Sequence, residues 1–206
     1  GLPPRPHPGT DEPCGQHRCR EQQQGRQERE SQGLREVPAQ RREHDAGLDD
    51  ESREQFEKAC SLADVVGGLP SKDRPTPEKH LDIIMKIAKE QNKRVDVHVD
   101  QENNPFENET EMLARKTIEH GLEGRVNAVH AISLSAKPVS EQDRIIKLLK
   151  DANVSVICCP SAALSMKQLE MSAPLHNSIA PVPRLLDAGV KVYLGIDNVY
   201  DLFMPL

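Results

Sequence analysis

Apolar residues recur with two alternating periods from about residue 54 onward. Arg94–Gln101 reads R-V-D-V-H-V-D-Q, in which Val95, Val97 and Val99 alternate with Asp96, His98 and Asp100 at the two-residue period of a strand. One side of this strand is apolar, and the other carries His98 with its acidic neighbours. Val126–His130 is a second strand ending in His, and Val190–Asp197 a further one ending in Asp. Ala63–Leu69 and Val154–Cys159 complete the strands, each closed by a proline. Between them the period changes to that of helices. Glu54–Leu62 reads as the end of a helix. Thr76 and Pro77 open another, with Leu81, Ile84, Met85 and Ala88 on its inner face. Glu109–His120 is stopped by Gly121, and a helix from Ser140, with Asp143 near its start, buries Ile145, Ile146, Leu148 and Leu149. Pro181–Ala188 ends at Gly189.

Strands and helices in strict alternation predict an α/β fold with a parallel sheet. His98 and His130 are 32 residues apart, and His130 and Asp197 are 67 apart. A (β/α)8 barrel of roughly 250 residues uses about 31 per unit, so equivalent positions recur once and then twice, and all three residues meet at one mouth. A doubly wound sheet is the competitor, but neither G-x-G-x-x-G nor G-x-x-x-x-G-K-[ST] occurs. The expectation is a partial (β/α)8 barrel of about five βα units over residues 53–206.

Composition separates a second region. Residues 1–52 are rich in Gln, Arg, Glu, Gly and Pro, and the first Phe, Lys and Ile are Phe56, Lys58 and Ile83. Such a segment buries too little apolar surface to offset its conformational entropy and is expected to be disordered, or not native to the fold. Cys14 and Cys19 enclose His17 but lack a second ligand pair, so no zinc knuckle is inferred. The net charge of -6 and an aromatic content of 2% argue against nucleic-acid binding and base stacking. No apolar run approaches the roughly 20 residues of a membrane span, and the given N-terminus lacks the apolar region expected of a secretory signal. Five cysteines suit a reducing compartment. The expected location is the cytoplasm, with no nucleic-acid or membrane partner; homo-oligomerisation is left open.

Residues 63–206 resemble the second half of a cytosine deaminase-like enzyme of the metal-dependent amidohydrolase superfamily. The matching pieces are Ala63-Asp64-Val65-Val66-Gly67, Val95-Asp96-Val97-His98-Val99-Asp100, Val129-His130 and Gly195-Ile196-Asp197-Asn198-Val199-Tyr200-Asp201, followed by Phe203 and Pro205. The resemblance implies a (β/α)8 barrel holding one divalent ion, Zn or Fe. It implies that His98 and Asp197 are metal ligands, with Asp197 also a base for the attacking water and His130 beside water and substrate. Asn198 and Phe203 would contribute to the substrate pocket. The implied partner is a small heterocyclic amine. The implied reaction is hydrolysis of a non-peptide C–N bond in a cyclic amidine or ring amine, by deamination or a closely related step.

Three departures bear on that reading. None of the eight His forms the His-x-His pair with which the family's metal site begins. Gln101 stands where cytosine deaminases carry a proton-shuttling Glu, so either Glu102 substitutes or the substrate is not cytosine. The sequence also ends at Leu206, before the family's last helix. The alternative is therefore a catalytically incompetent truncated fragment, and the chain alone is expected to hold metal weakly and to turn over no cytosine. Among other polar residues, His176 with Asn177 is a candidate for the pocket wall, Asp100 a candidate hydrogen-bond partner of the His98 ring, and Cys158 and Cys159 buried strand residues. His80 and His120 are expected at the surface.

Overall fold

The computed structural model describes residues 50–163 and 176–197, all within the compact unit His44–Leu206. The expectation of disorder over most of residues 1–52 lies outside the described residues. Helix α1 (Asp50–Leu62) leads into strand β1 (Val65–Gly68) and a 3-10 turn at Pro70–Asp73. There follow α2 (Pro77–Glu90), β2 (Arg94–Val99), α3 (Glu109–His120), β3 (Val126–His130), α4 (Val139–Asp151) and β4 (Ser155–Cys158). A short α5 (Pro160–Ala163), then α6 (Val182–Asp187) and β5 (Val192–Leu194), complete the described chain.

All five strands are parallel and lie in the order β1-β2-β3-β4-β5. Doubly wound sheets reverse direction at a switch point. Here each strand is added on the same side as the last, which is the winding of a barrel wall. The partial (β/α)8 architecture follows from this order.

The helix-facing side of the sheet is the core. Val66, Val95, Val97, Val99, Val126, Ala128 and Val156 are buried in one cluster with Leu81, Ile84, Met85, Ala88, Leu113, Ala114, Ile145 and Leu149 from the helices. The spacing of Leu81, Ile84, Met85 and Ala88 puts one face of α2 on β1 and β2, as the sequence period requires. Gly121 closes α3 with φ 67, the left-handed turn that glycine adopts without steric cost.

Several local expectations are corrected. The Thr76 hydroxyl does not cap α2 but donates to the Asp73 carbonyl. Helix α4 starts at Val139 with Pro138 in the cap position, Glu141 is its first-turn acid, and Asp143 pairs with Arg184. His80 and His120 are half-buried instead of fully at the surface. Their side chains are 19% and 20% exposed and are held by Asp73 and Asp82. His80 packs on the turn between β1 and α2, and His120 of α3 on Asp82 of α2, where a carboxylate partner lets an imidazole be half-buried. Strand β5 is shorter than its apolar run, and Asp197 lies beyond its end.

Candidate active site

The opposite face of the sheet is polar at its strand ends. On β2, Asp96 and His98 alternate with the buried valines and point away from the helices. Asp96 accepts a hydrogen bond from Asn127 Nδ2 on β3 at 2.6 Å, which ties the two strands together beneath the mouth. Strict alternation along β3 would group His130 with Val126 and Ala128. The backbone breaks that pattern: His130 has φ 75 and Ala131 φ 50. Left-handed geometry at a non-glycine residue costs on the order of 1–3 kcal/mol and persists only where its surroundings enforce it. Here it accompanies an imidazole whose Nε2 lies 3.0 Å from His98 Nδ1. Asp197, also left-handed at φ 69, brings its Oδ1 to 3.6 Å from the same nitrogen.

His98, His130 and Asp197 thus converge from three strand ends, their ligand atoms all within 4.8 Å of one another. The imidazole rings meet edge to face, with centroids 4.9 Å apart. His130 is buried, the Asp197 side chain is 18% exposed, and His98 is half-buried between them. Burial pushes the His130 pKa below its ordinary value and the neighbouring His98 adds to this, while Asp197 opposes it. His130 is therefore neutral near pH 7. Among the described residues, its buried Nδ1 has no hydrogen-bond partner.

Two imidazoles and a carboxylate make a borderline N/O donor set that suits zinc or iron better than calcium. The ligand atoms of His98 and Asp197 lie within 4.8 Å of each other, close enough to share one ion, and His130 Nε2 stands 3.0 and 3.6 Å from them. The residues present fit a divalent ion.

The remaining sequence candidates are distributed differently. Gln101 is half-buried in the loop after β2. Glu102 is bonded to Arg74 Nη1 at 3.0 Å with its side chain 46% exposed, and the structure does not bring it into the trio. His176 hydrogen-bonds Asn103 Oδ1 at 2.8 Å and, with Asn177, lines a cavity of about 690 Å³ beside the start of α4. Asn198 and Phe203 lie outside the described residues. Asp100 serves the following helix, its Oδ1 accepting the Glu109 backbone N–H at 2.8 Å, while the His98 Nδ1 faces His130. Burial and the Glu109 carboxylate push Asp100 up to about 7. Cys158 and Cys159 are buried as expected. Burial and the nearby Asp197 charge push the Cys159 thiol up to about 11, so it stays protonated. Sequence reasoning missed Arg74, Glu107 and Glu109, which share no periodicity and come together only through folded loops.

The sequence model of the amidohydrolase family matches residues 26–204, well over half of the chain. The chain belongs to the amidohydrolase family. That match begins inside the polar N-terminal segment. Among curated relatives, this amidohydrolase chain is 31% identical to N-isopropylammelide isopropyl amidohydrolase of Pseudomonas sp. (strain ADP), over 77% of this chain and 36% of that protein. An uncharacterized protein of Haemophilus influenzae is 36% identical, over 66% of this chain and 50% of its own length. Among solved structures, 5-methylcytosine deaminase from Klebsiella pneumoniae superposes with a TM-score of 0.69 at 26% identity, over 76% of this chain and 38% of that one. The amidohydrolase chain spans half or less of the length of these proteins. They place it among the cytosine deaminase-like members. Among the described residues, no helix is long and apolar enough to cross a membrane.

Proposed function

We propose that the chain carries the metal-holding and proton-transferring side of a hydrolase that cleaves non-peptide C–N bonds in small heterocyclic amines. The observation that carries the proposal is the convergence of His98, His130 and Asp197 from three different strand ends. His98 and Asp197 would hold a single zinc or iron ion, with His130 beside the reacting centre. Such an ion supplies a Lewis acid and lowers the pKa of bound water from 15.7 to about 7.

The chain's own residues then divide the proton work. Asp197 Oδ1 accepts a proton from the water that attacks the ring carbon. As the water oxygen bonds to that carbon, the C=N π pair moves onto the ring nitrogen, which takes up the proton from Asp197, while neutral His130, through Nε2, donates to the adduct oxygen. The adduct hydroxyl then passes its proton by way of Asp197 to the exocyclic amine, the C–N bond breaks as C=O forms, and ammonia or an alkylamine leaves. Gln101 cannot exchange protons, and Glu102 is engaged by Arg74. Asp197 is therefore the group that both receives the proton and returns it. On this reading cytosine, whose deaminases use a Glu at the position of Gln101, is a poor substrate, and other ring amines or N-alkylated rings are favoured.

Cobalt(II) or zinc titration of the 206-residue chain tests the site. Weak binding is expected, because two protein ligands make an incomplete shell, and it should be lost in both His98→Ala and Asp197→Ala. Metal retained through chelator dialysis and indifferent to His98→Ala would refute the assignment. Release of ammonia or alkylamine from a panel of ring amines tests the reaction. Turnover that survives Asp197→Ala would refute the proton role.

A further inference from the structure

The loop Asp100–Glu109, which leaves β2 just after His98, buries carboxylates in an unusual concentration. Glu107 and Glu109 have side chains only 1% and 4% exposed, and Asp100 is buried beside them. Among the described residues, one cation meets this cluster. Arg74 comes from the connection between the 3-10 turn and α2, with its side chain 41% exposed. Its Nη2 donates to Glu107 Oε1 at 2.9 Å and to Glu109 Oε1 at 2.8 Å, Nε to Glu109 Oε1 at 3.3 Å, and Nη1 to Glu102 Oε2 at 3.0 Å. Lys137 is buried nearby, but its Nζ donates to the Pro105 and Glu107 carbonyls and to Asn108 Oδ1.

The carboxylates in turn hold the loop backbone. Glu107 Oε2 accepts the Glu102 N–H at 3.0 Å and the hydroxyl of Ser133, on the neighbouring β3–α4 connection. Ser133 Oγ also accepts the Asn104 N–H at 2.9 Å. The Glu107 N–H closes the turn on Asn104 O at 3.0 Å. A chain of bonds therefore runs from Arg74 through Glu107 to the backbone of the segment that contains Gln101 and Glu102. A lysine at this position would present one ammonium and could not span carboxylates on both sides of the fork.

We propose that Arg74 is a positioning residue. Its three-carboxylate clamp sets the conformation of the β2–α3 loop at the mouth, so that Gln101 is presented three residues beyond His98 while Glu102 is held on the outside. Its relevance to turnover rests on the function proposed above; the clamp itself does not.

Amide hydrogen exchange of the full chain tests the clamp. Charge-assisted hydrogen bonds are worth about 1.5–3 kcal/mol, so Arg74→Gln should speed exchange at Glu102, Asn104 and Glu107 on the order of 10- to 100-fold. Exchange at Val95, Val97 and the α2 core should be unchanged. In Arg74→Ala, added guanidinium ion should restore slow exchange at the three loop amides, an effect that loss of overall stability would not show. Cobalt(II) affinity should be retained, because His98, His130 and Asp197 stand on strand ends outside the loop. In a chain competent for turnover, KM should rise more than kcat falls, with partial recovery in guanidinium. Loop amides that exchange at the wild-type rate in Arg74→Gln would overturn the proposal. So would β2 amides that accelerate equally, or a failure of guanidinium to restore protection. Absence of metal binding would count against the proposed function and leave the exchange result intact.

Discussion

Gly195→Ala is the smallest change expected to reach the candidate site. A Cβ built on Gly195 would meet Cys159 Sγ at 3.0 Å and Ile157 Cγ2 at 3.1 Å, where ordinary contact begins at 3.4 Å. The backbone is not free to yield. Gly195 N donates to Cys158 O at 2.9 Å, which fixes the end of β5 against β4. Two residues later Asp197 faces His130, and a displacement of several tenths of an ångström at Gly195 propagates directly to that carboxylate. Overpacking of a tight core contact costs about 1–3 kcal/mol. In a chain of this size each kcal/mol lowers Tm by roughly 2–4 °C, so a loss of about 2–12 °C is expected. Cobalt(II) affinity should fall as well, because the Asp197 oxygen moves relative to His98 and His130. Cys159→Ala removes the nearer of the two obstacles while Ile157 remains, so relief should be partial. In that background the Gly195→Ala penalty should shrink by at least about 0.5 kcal/mol. Thermal unfolding followed by circular dichroism, with cobalt titration of the four variants, measures both quantities. A Gly195→Ala chain that melts and binds metal like wild type would refute this reasoning, as would a penalty of equal size with and without Cys159.

Two further predictions concern the scaffold. Leu81 is fully buried between α2 and the sheet, and Leu81→Ala should cost about 2–5 kcal/mol in urea unfolding; a loss under 1 kcal/mol would show that the sheet face is not the core. On α3, the Glu111 carboxyl is held down to about 2, first by hydrogen bonds from Arg144 on α4 and then by Arg115. Because its folded pKa lies below the unfolded value of about 4.3, this group stabilises the fold above that pH and loses its contribution as pH falls toward 2. Arg144 is 44% exposed, so the effect is discounted to about 1 kcal/mol. Urea midpoints of wild type and Glu111→Gln should differ at pH 7 and converge near pH 2–3; parallel curves would refute the pairing.

The alternation of Val95, Val97 and Val99 with Asp96 and His98 was sufficient to define β2, its buried side and its chemical side, because a strand's two faces are read directly from a period of two. Leu81, Ile84, Met85 and Ala88 did the same for α2, and Gly121 for the end of α3. Equal spacing along the chain, together with the family resemblance, brought His98, His130 and Asp197 into one site, since repeating βα units place equivalent residues at the same end of a parallel sheet. Other features depended on contacts between residues distant in sequence. The left-handed turn of His130 is a tertiary compromise, invisible to a pattern that would have faced it the other way. Thr76 opens α2 without capping it, because its hydroxyl is taken by the Asp73 carbonyl, and Ser140 falls inside α4 because that helix begins at Val139. The fate of Glu102 and Asp100 was decided by Arg74 and by the start of α3, and His80 and His120 were drawn inward by Asp73 and Asp82. Periodicity reports which side of an element meets the core. Which charge meets which is set by the folded paths of the loops, where no period operates.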